Sequence, residues 1–341
     1  VLARIIQKLQ EDGVDYHLVA FKPTGTEDFP GCEHLYKDLK NIEIIEVDER
    51  NNDAAMLNAY IDASASYIKV NQHKYDRVIL DSWYTALAGI LARSDQDKTY
   101  HLVQSDPYFE PENDDVRWKS RALELVPYFP FKRIVVSRSI QKMLEDRYGE
   151  RHPAIDLFID DVYRQIDFEV VNRPSLRFIT TASDFTLPSK GLDFLLSSLQ
   201  KLEDKNFSLT ILSSVPINQK LTGLGFPVVA SSVQGAEQMA KALATHDVYV
   251  NTSTNETFCL ALAEAITLGM PAIALDSIGN RDYANGDNYI FVKEKSDFTG
   301  QLEHIRKLNI RKQLHEAARP SMSHYTIDQT VDEFKKIIGL I

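Results

Sequence analysis

The stretch Asp247-Val-Tyr-Val-Asn-Thr-Ser-Thr-Asn-Glu256-Thr-Phe-Cys-Leu-Ala-Leu-Ala-Glu264-Ala-Ile-Thr-Leu-Gly269-Met-Pro271 decides how the rest of the chain is read. It runs strand, polar loop, helix, then a glycine stop with a proline two residues on. Asp247–Val250 reads as the strand and 251–255 as the loop. The helix is expected to begin near Glu256–Thr257. Its first N–H groups would have no helical partner, and the aligned peptide dipoles would add partial positive charge there, which makes a cradle for a phosphate. Glu256 and Glu264 on such a helix would lie ~12 Å apart along the axis and within ~80° of one another around it. Two carboxylates on one side of a phosphate-binding end suit an extended ligand rich in hydroxyl groups. The bare spacing also has a plainer reading, a solvated face of a helix in an acidic chain.

Outward from this stretch, short apolar strands alternate with amphipathic helices, the pattern of a parallel α/β sheet. Strands are expected at Asp15–Phe21, Ile42–Val47, Arg77–Leu80, Tyr100–Gln104 and Arg133–Val136. A second series is expected at Arg177–Thr181, Ser208–Leu212, Val228–Ala230, Asp247–Val250, Ala272–Ala274 and Tyr289–Val292. Helices fall between them, for example Ala54–Val70, Tyr84–Ala92 and Ile140–Tyr148. The polar run Asp161–Pro174 ends in a proline, which disfavours helix just before it, and the hinge is placed there. The expected divisions are 1–168, an acceptor-side Rossmann-like domain; 169–324, a nucleotide-sugar-binding domain; and 325–341, a helix returning to the first. Ligands of open parallel sheets bind beyond the carboxyl ends of the strands. The expected fold class is therefore α/β, with two facing Rossmann-like domains and an interdomain cleft.

A chain of 341 residues fits two domains rather than one. A formal charge of −11 argues against a nucleic-acid partner. The two cysteines, Cys32 and Cys259, form neither a disulfide framework nor a zinc spacing, which fits a reducing, cytoplasmic compartment. No apolar run approaches the ~20 residues of a membrane span, and no signal peptide is visible. The run Tyr128-Phe-Pro-Phe-Lys-Arg133, after Trp118-Lys-Ser-Arg121, has two readings: a peripheral contact at the inner membrane face, or core packing before a buried strand.

The strand, the Ser-containing loop, Glu256-x-Phe258 with Glu264-Ala265 six residues beyond the phenylalanine, and Gly269-x-Pro271 together resemble the signature of the family-4 retaining glycosyltransferases of the glycosyltransferase-B fold. Ala272-Ile-Ala-Leu-Asp-Ser-Ile-Gly279-Asn280-Arg281-Asp282 is similar to their next strand and glycine-rich turn, and Asn285-Gly-Asp-Asn288 to the turn beyond it. The resemblance spans roughly residues 130–340. It implies that Glu256 contacts the transferred sugar, that Glu264 holds the ribose, and that Thr257 and the N–H groups of Phe258, Cys259 and Leu260 face the diphosphate. Lys190-Gly191 stands where that family carries a Lys-Gly aimed at the diphosphate, at the start of an amphipathic helix. The family's Gly-Arg is replaced by Thr181-Ala-Ser-Asp184, which removes a positive charge and adds a negative one, and Arg281 is the candidate to compensate.

In the first half, Gln104 and Asp106 fall where relatives carry acceptor-side residues, and Val103-Gln-Ser-Asp-Pro-Tyr-Phe109 resembles bacterial polysaccharide rhamnosyltransferase-type members. His101 reads as a structural strand residue. Ser137 reads as a helix N-cap that also fits a cleft contact. The Gly-rich loop of the family's first strand is missing, and Val1–Asp12 reads as the helix that follows it. Either the sequence is a piece that begins inside the domain or the chain lacks that element.

No Asp-x-Asp metal motif follows a strand; Asp114-Asp115 and Asp160-Asp161 read as solvated acids. The implied reaction uses a nucleotide sugar and a glycan or lipid-linked acceptor, needs no metal or other cofactor, and has an oxocarbenium-like transition state with a departing diphosphate. Glu256 and Lys190 are its catalytic candidates, and retention is implied by the resemblance alone. The alternatives are a catalytically weak partner subunit that binds an acceptor, favoured by the missing arginine, and a sugar-nucleotide epimerase.

Overall fold

The computed structural model describes residues 2–26, 36–48, 50, 53–104, 128–217 and 221–341. In chain order the elements are α1 (Leu2–Glu11), β1 (Leu18–Pro23), β2 (Ile42–Val47), α2 (Asp53–Asn71), β3 (Val78–Leu80), α3 (Trp83–Leu91), β4 (Thr99–Val103), β5 (Lys132–Val135) and α4 (Arg138–Tyr148). Then come α5 (Val162–Gln165), β6 (Leu176–Ala182), α6 (Leu192–Lys201), β7 (Phe207–Ser213), β8 (Val228–Ser231), α7 (Gly235–Ala244) and β9 (Val248–Asn251). The chain closes with α8 (Leu260–Leu268), β10 (Ala272–Leu275), β11 (Ile290–Val292), α9 (Phe298–Ile305), α10 (Leu308–Ser321) and α11 (Ile327–Ile338). The strands fall where alternation placed them. Short β-branched runs between turn residues leave little choice.

Two units result: Val1–Phe158 with Ile327–Ile341, and Ile159–Thr326. The first has parallel pairs β1–β2 and β3–β4–β5. Helix α1 buries Ala3, Ile5, Ile6 and Leu9, and α11 buries Val331, Phe334 and Ile338. The two helices pack together, tied by Lys8 to Asp328 at 2.8 Å and by Lys335 to Asp12, while Asp12, next after α1, also pairs with Lys8 of that helix at 2.9 Å. In the basic-aromatic run, Phe129 and Phe131 pack with Leu80 and Ala86, so these two rings are core; Tyr128 is exposed. Trp118 and Arg121 lie outside the described residues.

The second unit holds a six-stranded, wholly parallel sheet in the order β11-β10-β9-β6-β7-β8. Counted within the unit, that is 6-5-4-1-2-3, the Rossmann order. Strands β9 and β10 are buried throughout, as central strands covered on both faces must be. Leu195, Leu199, Phe178, Phe207, Val250 and Phe298 share one core, each fully buried side chain contributing ~1.5–3 kcal/mol. Buried Asp247 anchors the entry to β9, accepting from the Arg177 backbone N–H at 2.9 Å and pairing with Arg173 at 3.1 Å.

The boundaries differ from the sequence reading, which set them after 168 and 324. Residues 159–165 belong to the second unit because Ile159 N–H donates to the Tyr325 carbonyl at 3.0 Å, Tyr163 is buried, and Arg164 donates to the carbonyls of Met322 at 3.1 Å and Tyr325 at 2.9 Å. The acids that made this segment look like a linker are engaged: Asp160 accepts from Val162 N–H at 3.2 Å and Asp161 pairs with Arg164 at 3.0 Å. Their mates Asp114 and Asp115 lie outside the described residues.

Candidate nucleotide-sugar site

In the Rossmann order the chain leaves β6 and β9 toward opposite sides, and the crevice at their carboxyl ends is where ligands bind such sheets. Strands β6 and β9 are neighbours, Phe178 opposite Val248 and Ile179 opposite Tyr249. The loop after β6 carries Lys190, and the loop after β9 carries Ser253 and Glu256. The two loops are stitched together: Thr252 Oγ1 donates to the carbonyls of Lys190 at 3.2 Å and Gly191 at 3.1 Å, and Thr254 N–H donates to Ser189 O at 2.9 Å. Gly191 has φ +70°, and a Cβ there would stand 2.4 Å from Thr252 O, so this close approach requires glycine.

The stitching brings Lys190 Nζ to 2.7 Å from Glu256 Oε1. Ser253 Oγ donates to the same oxygen at 2.8 Å. The backbone of Glu256 is held as firmly: its N–H donates to Ser277 O at 3.0 Å and its carbonyl accepts from Gly279 N–H at 3.0 Å. Gly279 packs so tightly on the Thr257–Phe258 peptide that a Cβ would lie 2.2 Å from Thr257 C. Between these anchors Ile278 takes φ +70° and ψ −67°, a strained γ-turn closed by Gly279 N–H on Ser277 O at 2.9 Å.

The sequence reading is corrected at two helix starts, and two further candidates are found in local partnerships. Helix α8 begins at Leu260, not near Glu256, because Glu256 is pinned to the 277–279 loop and Cys259 adopts φ 60° and ψ 60°, which no helix can pass through. The two glutamates therefore do not share a helix, and the ~12 Å and ~80° relation does not apply. Lys190 ends a short 3-10 turn, Pro188–Lys190, and α6 starts two residues later, after Gly191. Arg281 forms a two-pronged pair with Asp276 at 2.8 and 2.7 Å; it braces the 276–282 loop. Asp184, in the place of the family's arginine, accepts from the N–H and hydroxyl of Thr186 at 2.7 and 2.6 Å, which holds its carboxyl below the usual range.

The remaining donor-side candidates lie on the chain that follows the β9 loop. Phe258 is buried edge-on against Tyr283 and Tyr325, with ring centres 5.5 and 5.6 Å away. Cys259 is buried and free; burial pushes its thiol up to about 12, and it accepts from Leu262 N–H. Among the described residues, the N–H groups of Phe258, Cys259, Leu260 and Ala261 meet no protein acceptor. Glu264 lies on the second turn of α8, partly buried; desolvation pushes its carboxyl up to about 7, against a hydrogen bond from Tyr163 that favours the charged form. A cavity of about 260 Å³ opens one strand over, at the ends of β7 and β8, lined by Ser213, Ser214, Val215, Ser231 and Ser232. No group of three or more His, Cys, Asp or Glu among the described residues could hold a metal.

In the first unit, Gln104 donates to Asp81 O at 2.8 Å. Ser137 is fully buried and caps α4, its Oγ accepting from Ile140 N–H at 3.1 Å. Asp106 lies outside the described residues. His101 is buried in β4 with an unpartnered Nδ1; burial, then Arg133 and His152, push its pKa down to about 3. Ser253 and Tyr163 are the residues that sequence reasoning did not single out. Ser253 carried a faint signal, three residues before Glu256, whereas nothing local marks Tyr163, which meets α8 only in the fold.

Residues 176–308 match the sequence profile described as glycosyl transferases group 1. Over its length the structure superposes on sucrose-phosphate synthase of Thermosynechococcus elongatus with a TM-score of 0.75 at 14% identity, covering 99% of this chain and 91% of that one. The fold is of the glycosyltransferase-B class. Anabaena HepE, solved in complex with UDP-glucose, gives a TM-score of 0.69 at 14% identity over 95% of this chain and all of that one, 100%. A GDP-mannose-dependent alpha-mannosyltransferase of Mycobacterium tuberculosis (strain CDC 1551 / Oshkosh) is 39% identical over 54 residues, 16% of this chain. The match spans only 14% of that relative's length. The glycosyltransferase-B assignment thus rests on the whole fold, the group 1 match on the second unit. No helix among the described residues is long and apolar enough to cross a membrane.

Proposed function

We propose that this chain is a retaining glycosyltransferase of the family-4 kind that moves a sugar from a nucleoside-diphosphate donor to a glycan, lipid-linked or polysaccharide acceptor, without a metal. The observation that carries the reading is the Lys190–Glu256 pair at the β6/β9 crevice, beside the open N–H groups of Phe258–Ala261. The diphosphate rests against those N–H groups and Lys190. Fixed donors of this kind stabilise the charge that grows on the leaving diphosphate, which is the largest lever for such a reaction. Glu256 faces the sugar as it develops oxocarbenium character. Glu264 accepts hydrogen bonds from the ribose hydroxyls while Tyr163 steadies it. The serine-lined cavity beyond β7 and β8 has room for the base.

The test is a panel of UDP-glucose, GDP-mannose, UDP and GDP, followed by calorimetry and by release of the nucleotide. At least one nucleotide sugar is expected to bind and turn over, and Glu256→Gln to abolish turnover while nucleotide binding persists. Failure of every member of the panel to bind refutes the reading. A second reading, a catalytically weak partner that binds an acceptor, is favoured by Asp184 standing where an arginine is expected. Tight binding of a glycan with no turnover of any donor would support it.

A further inference from the structure

Glu256 is braced unequally. Both side-chain donors, Lys190 Nζ at 2.7 Å and Ser253 Oγ at 2.8 Å, converge on Oε1. Among the described residues Oε2 has no protein partner. The carboxylate cannot turn about its last bond without giving up two hydrogen bonds to a charged group. Its stem cannot shift either, because the Glu256 backbone is bonded on both sides to Ser277 and Gly279. Ser253 is equally fixed. It is buried, 3% exposed, and its N–H donates to Asn251 Oδ1 at 3.1 Å at the end of β9. Its hydroxyl is thus aimed by the sheet itself. Lys190 has three N–H donors and gives one to Oε1, so two remain.

From this geometry, and resting on the functional reading above, we infer that Ser253 is a positioning residue: it fixes Glu256 so that Oε2 alone is presented to the donor sugar, while Lys190 bridges Oε1 to the diphosphate. Ser253 touches neither sugar nor phosphate and acts only through Glu256. Loss of its hydroxyl frees the carboxylate to rotate and to spend both oxygens on Lys190. The sugar then loses its acceptor and the diphosphate part of its cation.

The experiment compares the unaltered chain with Ser253→Ala and Ser253→Thr. For each, affinities for UDP, UDP-glucose, GDP and GDP-mannose are measured by calorimetry, together with donor turnover and thermal midpoint. For Ser253→Ala, kcat is expected to fall by about tenfold or more, the loss of one hydrogen bond to a charged group. The preference for the nucleotide sugar over the matching nucleotide should shrink in step, nucleotide affinity should change by less than about threefold, and the thermal midpoint should stay near that of the unaltered chain. Ser253→Thr, which keeps the hydroxyl, should restore kcat. Unchanged kcat and sugar preference in Ser253→Ala would overturn the inference and leave the functional reading standing. So would parallel loss of nucleotide affinity and thermal stability without rescue by threonine, the mark of a merely structural serine. If the unaltered chain binds none of the four probes, the functional reading falls, and this inference with it.

Discussion

Glu264 shows what a single side chain carries beyond its place in a motif. Its carboxyl is pushed up to about 7 by desolvation, so near neutral pH it is divided between two forms. Folded, it holds its proton more tightly than unfolded. Its contribution to the second unit's stability therefore falls as pH rises from the ordinary carboxylate range to about 7, by ~3 kcal/mol in all, and is flat above. If Glu264 holds the ribose as proposed, nucleotide binding runs the other way, because the carboxylate accepts from both hydroxyls of a diol and does so more strongly than the protonated acid, which has turned one oxygen into a donor. Affinity is expected to rise by up to about tenfold per pH unit below 7 and to level above it. Calorimetry in two buffers of different ionisation enthalpy should detect the released proton. Glu264→Gln should abolish that release and weaken nucleotide binding by ~1.5–3 kcal/mol. Such a value could not be read from the sequence, because the desolvation comes from elements far apart in the chain. Lys190 and Glu256 were legible as candidates through the resemblance of their motifs to the family-4 signature. That they are partners at 2.7 Å was not, since 66 residues separate them.

At the scale of elements, the strands were legible and the helix starts were not. Alternating apolar runs fix a strand locally, whereas the first turn of α8 is decided by contacts from outside it. The bridge between Glu256 and Ile278 draws the chain out of helix for four residues after the sequence had allowed helix to begin. Gly191 does the same for α6. Gly191→Ala would demand an L side chain at φ +70° and drive its Cβ into Thr252 O. The expected loss is ~1–3 kcal/mol of stability, read from urea midpoints. Because Lys190 is the adjacent residue, donor turnover should fall further than that loss explains. Ile278→Gly tests the neighbouring anchor. Glycine accepts the γ-turn without strain, so stability should hold or rise slightly, while a freer 277–279 loop should loosen Glu256 and lower kcat.

For the whole molecule, the alternation of strands and helices and the right-handed crossovers it imposes made the parallel sheet foreseeable, whereas its order was not, because more than one doubly-wound order fits the same alternation. The unit boundaries were not, because the polar residues of 159–165 are spent on bonds that only the finished fold reveals. Acid should act on the molecule through the first unit. His101, buried on β4 and facing Arg133 and His152, has a pKa pushed from 6.5 down to about 3. Unfolding lets it take up a proton, so stability is lost as pH falls below 6.5, at up to about 1.4 kcal/mol per pH unit. His101→Leu should flatten this acid limb in denaturation midpoints measured at successive pH values. An unchanged slope would assign acid sensitivity to other groups.

The pairing of α1 with α11 has a consequence for biosynthesis. Residues 2–11 emerge from the ribosome about 320 residues ahead of the helix that covers their apolar face. The intervening unit, whose core is drawn from one unbroken stretch, is free to fold during translation. The face that α1 turns toward α11 must meanwhile wait, open to chaperones, until α11 leaves the exit tunnel.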